Sequence, residues 1–396
     1  MRRVMISLLL FVFALPALAQ TTDAGPRDVD ITAPDGAKLR ATYYPAAKPG
    51  ANGSPAVLLL HMCNTTRKSW EPVARQLRAA GIHALTLDYR GFGESSGDLF
   101  DKMSPQDAQK MATEKWPGDV DAAFDFLLAQ PGVNKSYIGA GGGSCGVNQA
   151  VQLARRHPNV ISLVLLAGPA NKEGLDFLQQ NHFPPIFAAA SADDQFDNDA
   201  PHSMQWLAEI AGNPRNKFVS FPDGKHGTEI FGPHPELPEQ IVAWYVDTLV
   251  KAPANPKTPV AAKKTPRTEF WALASSPQTI TQAVQMFHDA RTRDPHVFLF
   301  PEFMLNQLGY QHLQAGHNQE AIALFKLNTE AFPTSANTYD SLSDAYLAAG
   351  QNDAALVAEQ KCLELLPNDK INEQFKAGLR QAAEQKLAKL KGNSEK

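Results

Sequence analysis

Short apolar runs alternate with amphipathic segments along residues 27–250. Runs such as Val57-Leu58-Leu59-Leu60 and Leu163-Val164-Leu165-Leu166 are apolar on both faces, as buried parallel strands require. The predicted strands are Val29–Ile31, Lys38–Tyr44, Ala56–His61, His83–Asp88, Ser136–Gly141, Ile161–Leu166, Pro185–Ala190 and Lys217–Phe221. The predicted helices between them are Arg67–Ala80, Trp116–Gln130, Cys145–His157, His202–Ala211 and Glu236–Val250. This alternation favours a doubly wound, mostly parallel α/β sheet.

Residues 251–268 interrupt the alternation. Their sequence, KAPANPKTPVAAKKTPRT, is rich in proline, alanine and lysine and has no apolar period. Such a composition predicts a semi-rigid extended linker. We therefore expect an α/β domain over residues 20–250 and a separate domain over residues 269–396.

The pattern after the linker repeats with a fixed period. Four residue types recur 34 positions later: Leu308, Gly316, Ala321 and Pro333 return as Leu342, Gly350, Ala355 and Pro367. A 34-residue period of helix, turn and helix is typical of tetratricopeptide repeats. Segments 302–335 and 336–369 therefore resemble two such repeats in an all-α domain, with a helix over 278–292 before them and a capping helix over 371–391 after them. The alternative interpretation is a generic helical bundle.

The first 19 residues have the pattern of a signal peptide. Arg2 and Arg3 precede an apolar run from Ile6 to Leu15, and Ala17-Leu18-Ala19 forms a small-residue cleavage site before Gln20. We expect residues 1–19 to be removed and the protein to be exported, either to the periplasm or out of the cell. An uncleaved anchor is the alternative, although the run is short for a bilayer span. The later sequence predicts no membrane span.

Composition and charge exclude several classes of partner. The 396 residues carry a formal net charge of −4, which gives no general case for binding nucleic acid or an anionic membrane. The three cysteines, Cys63, Cys145 and Cys362, are too few for a disulfide framework and lack zinc-ligand spacing. We therefore expect no metal and no cofactor. Export nevertheless makes the cysteines candidates for a disulfide.

The segment Gly142-Gly143-Ser144-Cys145-Gly146 reads as G-x-S-x-G between a predicted strand and a predicted helix. In that context it predicts a nucleophile elbow, whose sharp turn exposes the serine hydroxyl. Glycines are needed two residues to either side, because a Cβ there would collide with the neighbouring backbone. Cys145 is a rival nucleophile, but its register would place Val147 where a glycine is needed. The spacing favours Ser144.

Five stretches carry a resemblance to a known family: VLLLHMCN at 57–64, LDYRGFGES at 87–95, YIGAGGGSCG at 137–146, AAASADDQF at 188–196 and DGKHGTEIF at 223–231. Together they resemble the α/β hydrolases, closest to the dienelactone-hydrolase-like branch and to small serine esterases and peptidases. They cover nearly the whole first domain in the order of the family. The resemblance implies a catalytic triad in the chain order serine, aspartate, histidine.

The triad residues follow from this resemblance position by position. Ser144 is the expected nucleophile and His226, in the turn after the last strand, is the expected base. Asp194 ends a small-x-x-Asp stretch and is the expected acid, with Asp193 as the alternative. Most histidines and loop aspartates have only structural roles, so the assignment depends on the match to the family pattern.

The resemblance also implies an oxyanion hole made of two backbone N–H groups. One is expected from Cys145, the residue after the nucleophile, and the other from Cys63, with Met62 as the alternative. Met62 departs from the glycine usual in the family. In this fold the strands that end near residues 61 and 141 are neighbours, so we hypothesise a Cys63–Cys145 disulfide that braces the hole. Two small buried thiols are the alternative.

The sequence therefore predicts an exported serine hydrolase that cleaves a carboxylic ester or related acyl bond. Its substrate would be a small-molecule ester or a short peptide, and a peptidase with the same triad is the first alternative. The repeats would bind a protein or peptide partner or pack beside the pocket. The second alternative is a non-catalytic binding or scaffold protein with working repeats and a relict hydrolase domain.

Overall fold

The computed structural model describes residues 25–181, 183–197, 199–251, 260–371 and 373–394, so the predicted signal peptide lies outside it. The strands are β1 Arg27–Thr32, β2 Lys38–Tyr44, β3 Ser54–Leu60, β4 His83–Leu87, β5 Val133–Gly143, β6 Val160–Leu166, β7 Ile186–Ser191 and β8 Lys217–Phe221. The helices of the first domain are α1 Glu71–Ala79, α2 Pro105–Lys110, α3 Trp116–Leu128, α4 Cys145–Arg156, α5 Lys172–Asn181, α6 Ala200–Ile210 and α7 Glu236–Tyr245. The C-terminal helices are α8 Pro266–Ala274, α9 Ile280–Arg293, α10 Glu302–Gln314, α11 Asn318–Ala331, α12 Ala336–Ala348, α13 Asn352–Leu365 and α14 Glu373–Ser394.

The eight strands form one sheet in the order β1-β2-β4-β3-β5-β6-β7-β8. Strand β2 is antiparallel to both β1 and β4, whereas the pairs from β4 through β8 are parallel. The strand order reverses at β3, which has β4 on one side and β5 on the other. A reversal of this kind opens a crevice at the carboxyl ends of the strands, where ligands bind in open α/β sheets.

Helices cover both faces of the sheet. The central residues of β3 and β6, at 57–60 and 163–166, are fully buried, as their two apolar faces predict. Apolar residues of α3, α4, α5 and α6 pack on one face, and those of α1 and α7 pack on the other. The predicted doubly wound, mostly parallel sheet is confirmed.

The structure adds elements that the sequence pattern did not predict. Helix α5 lies in the segment between β6 and β7, where the apolar pattern predicts no helix. Leu175 and Leu178 are 2% and 1% exposed and fix this helix to the sheet, but two apolar residues are a weak periodic signal. The helix expected from Arg67 begins as a 3₁₀ turn, and α1 starts only at Glu71.

The C-terminal region is all-helical, as expected. Helices α10 and α12 begin at Glu302 and Ala336, 34 positions apart, and each is followed by a second helix that packs against it. Ala321 and Ala355 are fully buried, which allows the paired helices to approach closely. The assignment of these pairs to the tetratricopeptide class stays a prediction.

The linker is shorter than predicted, because residues 266–268 belong to α8. Thr265 caps this helix through its Oγ1, which accepts a hydrogen bond from the Thr268 N–H at 3.3 Å. Pro266 occupies the first helical position, where its fixed φ suits the helix. The N–H of Lys263 also donates to the carbonyl of Gly212 at 3.0 Å, which ties the end of the linker to the first domain.

Helix α6 carries the contact between the two regions. The Trp206 indole N–H donates to the Leu299 carbonyl at 3.0 Å, and its ring lies 4.8 Å from that of Trp271. Arg267 forms an ion pair with Glu209 at 2.8 Å.

Within the part of the chain that the structure describes, none of the helices combines the length and apolar character required to cross a membrane.

Candidate active site

Ser144 lies at a strained turn between β5 and α4. Its φ and ψ are 52° and −122°, and its N–H donates to the Leu166 carbonyl at the end of β6 at 2.9 Å. A Cβ on Gly142 would collide with the Gly146 carbonyl, and a Cβ on Gly146 would lie 2.5 Å from the Leu60 carbonyl oxygen. The two flanking glycines are therefore required by the turn. A serine held in such a conformation is typical of a functional site.

Asp194 and His226 form a buried pair at the same edge of the sheet. His226 Nδ1 and Asp194 Oδ2 are 2.7 Å apart, and each residue is 5% exposed. Asp194 Oδ1 accepts hydrogen bonds from the N–H groups of Phe196 at 2.8 Å and Asp197 at 3.2 Å. Because the carboxylate is fixed and accepts from Nδ1, the imidazole keeps Nε2 for exchanging a proton.

Asp193 has different partners. Its Oδ1 accepts hydrogen bonds from the Lys225 N–H at 2.8 Å and the Ser191 hydroxyl at 2.9 Å. The Lys225 N–H is the main cause that lowers the pKa of Asp193. Lys225 has a φ of 60°, so Asp193 holds the strained residue that precedes His226. Of the two aspartates, Asp194 contacts the imidazole and Asp193 supports its turn.

The structure does not join Ser144 to His226. Among the described residues, the Ser144 hydroxyl has no hydrogen-bond partner, whereas the two turns that carry these residues do meet. The Thr228 N–H donates to Met62 Sδ at 3.3 Å, and a Cβ on Gly143 would lie 3.6 Å from Thr228 Cγ2. Catalytic hydrogen bonds in unliganded enzymes are often long or poorly aligned and tighten when substrate binds.

The Met62 side chain fills the space between these turns. It is fully buried, a Cβ on Gly143 would lie 3.0 Å from its Cγ, and a Cβ on Gly227 would collide with its sulfur. Two glycines therefore accommodate methionine where the family usually has glycine. The Met62 N–H donates to Thr65 Oγ1 at 3.2 Å, so this alternative oxyanion donor already has an acceptor.

Cys63 and Cys145 are joined by a disulfide. Their Cα atoms are 5.8 Å apart, and the bridge closes a sequence separation of 82 residues. The bridge is possible because β3 and β5, which precede the two cysteines, are paired neighbours. Cys145 is the first residue of α4, so its N–H belongs to the helix terminus, where backbone donors lack intrahelical acceptors.

His61 holds the loop that contains Met62 and Cys63. Its Nδ1 lies 2.6 Å from the Met62 carbonyl, and its Nε2 accepts from the Tyr89 N–H at 3.3 Å. Complete burial lowers the pKa of His61 to about 4, so the ring is neutral at physiological pH. His61 therefore orders the loop as a neutral ring.

The LDYRGFGES stretch at 87–95 contains residues of two buried ion-pair groups. Asp88 contacts Arg67, and Arg90 lies 2.5 Å from Asp119 and 2.6 Å from Asp35. Asp88 and Asp119 are fully buried, and a Cβ on Gly93 would collide with the Asp88 carboxylate. These contacts fix the turn after β4, so we assign its charged residues a structural role.

One group among the described residues has the composition of a metal site. Ligand atoms of Asp340, Glu359 and Cys362 lie within 4.8 Å of one another in the C-terminal region. The Lys386 ammonium lies 2.8 Å from Asp340 Oδ1, and Glu359 Oε2 is 3.7 Å away from it. Burial raises the pKa of Glu359 to about 7. Because Lys386 already supplies a positive charge, we interpret the group as a buried ion-pair network.

Comparison with known proteins gives a family match within the first domain and partial matches to curated proteins. The family model described as serine aminopeptidase S33 matches residues 52–226. An uncharacterised protein of Mycobacterium tuberculosis is 29% identical over 144 residues, which are 36% of this chain and 46% of that protein. The polyketide transferase claH of Penicillium crustosum is 28% identical over 186 residues, 46% of this chain and 57% of that protein. The matched region thus spans only about half the length of these relatives.

Solved structures are similar to part of the chain. The esterase Pf2001 of Pyrococcus furiosus has a TM-score of 0.44 and 18% identity, covering 57% of this chain and 91% of the esterase. Est1E of Butyrivibrio proteoclasticus, solved with ferulic acid, has a TM-score of 0.44 and 17% identity, covering 56% and 99%. With the family model and the strand order, the first domain has an α/β-hydrolase fold, and the family match supports hydrolase activity.

Proposed function

We propose that this protein is an exported serine hydrolase that cleaves a carboxylic ester or related acyl bond. The observation that carries the proposal is the buried Asp194–His226 pair, at 2.7 Å, beside a serine at a strained strand-to-helix turn. The turns that carry the two features meet, since the Thr228 N–H donates to Met62 Sδ at 3.3 Å and a Cβ on Gly143 would lie 3.6 Å from Thr228 Cγ2. An orienting acid, a base and a serine hydroxyl at such a turn support nucleophilic catalysis.

In the proposed reaction, Ser144 Oγ attacks the acyl carbon while His226 Nε2 takes its proton. The tetrahedral oxyanion receives hydrogen bonds from the N–H groups of Cys145 and Cys63. His226 then gives the proton to the leaving alcohol as the acyl–oxygen bond breaks. Water then attacks the acyl carbon while His226 takes its proton, and His226 returns that proton to Ser144 Oγ as the acyl–Oγ bond breaks and the acid is released. Asp194 orients the imidazole and stabilises its protonated form throughout.

A fluorophosphonate probe tests this proposal directly, since it reacts with an activated serine. We expect the mature protein to be labelled at Ser144, as located by peptide mass spectrometry, and the Ser144→Ala variant to stay unlabelled. Asp193→Asn serves as the folded control, because it changes a loop carboxylate without removing a triad member. A wild-type protein that resists labelling would favour the alternative of a binding protein with a relict hydrolase domain.

A peptidase is the second candidate, and the description of the matching family as serine aminopeptidase favours it. The same triad would then attack a peptide carbonyl, and His226 would protonate a leaving amine. The kcat/KM values for short-chain aryl esters and for aminoacyl arylamides distinguish the two. A preference for the arylamides would identify a peptidase, and a preference for the esters would identify an esterase.

Export and the repeat region are further parts of the proposal. Export is supported by the N-terminal residue pattern and by the disulfide, which forms in oxidising compartments. Protein recovered from the periplasm or the medium is expected to have Gln20 as its first residue, which N-terminal sequencing would show.

We propose that the helix pairs over residues 302–369 bind a protein or peptide partner. Affinity capture with the isolated full-length protein would identify that partner.

A further inference from the structure

We infer that the Phe196 ring contacts the leaving alcohol and makes the enzyme select esters of flat, apolar alcohols. This inference rests on the proposed function, since it concerns the proton transfer that His226 would carry out. It assigns a specificity-determining residue next to the triad, at a position for which the sequence analysis predicted no role.

The loop that holds the catalytic acid also presents this ring. The Phe196 N–H donates to Asp194 Oδ1 at 2.8 Å, so its backbone is fixed relative to the acid. The side chain extends to the imidazole, with ring centroids 4.6 Å apart and a tilt of 56° between the planes. Gln195 Nε2 lies 3.3 Å from Glu229 Oε2, which links the same loop to the turn after His226. The ring is therefore held beside the base.

The rest of the ring is open to solvent. Phe196 is 58% exposed, whereas His226 and Asp194 are each 5% exposed. An apolar ring in contact with a buried imidazole thus presents most of its surface outward at the rim of the site. Exposed aromatic surface beside a buried polar centre is typical of ligand-binding sites.

The direction of proton transfer decides which part of the substrate lies there. In the acylation step, the acyl carbon–oxygen bond breaks and the imidazolium gives its proton to the departing oxygen. The leaving group is therefore the part of the ester closest to His226, and its carbon skeleton extends over the neighbouring ring. A planar apolar group would pack on Phe196, and such aromatic contacts change affinity by about two- to twelvefold.

Two esters with the same acyl group test this contact. Benzyl acetate and propyl acetate both release primary alcohols, so their kcat/KM ratio compares the leaving groups. We expect Phe196→Ala to lower the benzyl-to-propyl ratio by about two- to twelvefold. Phe196→Tyr keeps the ring and is expected to preserve the ratio, and Phe196→Leu is expected to fall between them. Phe303→Ala, which removes a ring that is 57% exposed on α10, is the matched control.

The outcomes separate this inference from the proposed function. Equal losses for both esters, with a shifted pH profile, would show that Phe196 only positions His226. An unchanged ratio in Phe196→Ala, or an equal fall in Phe303→Ala, would also overturn the contact. In either case labelling of Ser144 by the fluorophosphonate probe would leave the proposed function intact. Failure of wild-type labelling would overturn both.

Discussion

Met62 and Gly227 are in such close contact that a Cβ on Gly227 would collide with the Met62 sulfur. Gly227 follows the proposed base, and Met62 precedes a proposed oxyanion donor. The contact therefore couples two parts of the site that are far apart in the chain. It also explains how the loop after β3 accepts a methionine where a glycine is usual.

Replacing Met62 by alanine should destabilise the protein. The side chain is fully buried, so the change removes apolar contacts and leaves a cavity, which typically costs about 2–5 kcal/mol. Urea unfolding followed by circular dichroism measures the loss. Val357→Ala, at a position that is 65% exposed, is the control and should change the free energy of unfolding by less than about 0.5 kcal/mol. A similarly small change for Met62→Ala would show that the contact is dispensable.

Replacing each of the two neighbouring aspartates by asparagine should lower kcat to different extents. Asp194→Asn removes the charge that accepts from His226 Nδ1 and should lower kcat on the order of 10⁴-fold. Asp193→Asn keeps an oxygen acceptor for the Lys225 N–H, so we expect a loss of less than about tenfold, because that N–H bond only positions the turn. Steady-state kinetics with one ester, after both variants are shown to be folded, gives the comparison. A larger loss for Asp193→Asn would exchange the two roles.

The disulfide should stabilise the fold and hold the two proposed oxyanion donors in position. Closing a loop of 82 residues corresponds to about 4.5 kcal/mol in the chain-entropy model. We expect reductant to lower the free energy of unfolding by up to that amount and to lower kcat, since Cys63 and Cys145 carry the proposed donors. Unfolding curves with and without a phosphine reductant measure the first effect.

Thiol titration and a double variant complete that test. The unreduced, unfolded protein should contain one reactive thiol, Cys362, which is free and buried in the fold. Three reactive thiols would rule the bridge out. The Cys63→Ala/Cys145→Ala variant should no longer respond to reductant, whereas Cys362→Ala should respond as the wild type does.

Stability should depend on pH through Glu359. Burial raises its pKa from the ordinary value of 4.5 to about 7, so the folded state binds its proton more tightly than the unfolded state. The contribution of this group to the free energy of unfolding is therefore complete below pH 4.5 and is lost as the pH rises towards 7. Glu359→Gln should remove that loss.

The difference in the free energy of unfolding between the wild type and Glu359→Gln isolates the contribution of Glu359 from those of other groups that titrate. His61, for example, acts in the opposite direction, because burial lowers its pKa to about 4. Chemical unfolding at intervals between pH 4.5 and 8 gives the difference. Glu364→Gln, on the exposed side of the same helix, is the control. If the free energy of unfolding changed with pH in the same way for the wild type and for Glu359→Gln, the prediction would be contradicted.

The sequence predicts the fold where the signal is local, and it proposes site residues on the same local grounds. The eight strands are recognisable from short apolar runs, and Ser144 from glycines two residues away. Asp194 and His226 lie in turns directly after strands, so the fold order alone brings their segments to one edge of the sheet. The family pattern favoured Asp194 over Asp193, and the structure adds the 2.7 Å separation between Asp194 Oδ2 and His226 Nδ1.

Other features depend on residues that are distant in the chain, so local patterns do not reveal them. The fit of Met62 requires Gly143 and Gly227, and neither glycine carries a signal about methionine. The contact of Phe196 with His226 arises from the path of an irregular loop. The start of α8 is set by a capping threonine within a composition that otherwise favours an extended linker.

Helix α6 makes the two halves of the protein interdependent for solubility. Trp206 is fully buried, with Trp271 against its ring and the Leu299 carbonyl on its indole N–H. A fragment that ended at residue 250 would expose this indole and its apolar neighbours to water, directly beyond the loop that holds Asp194. Such a fragment would be prone to aggregate, so enzymology on this protein is best done with the helical region retained.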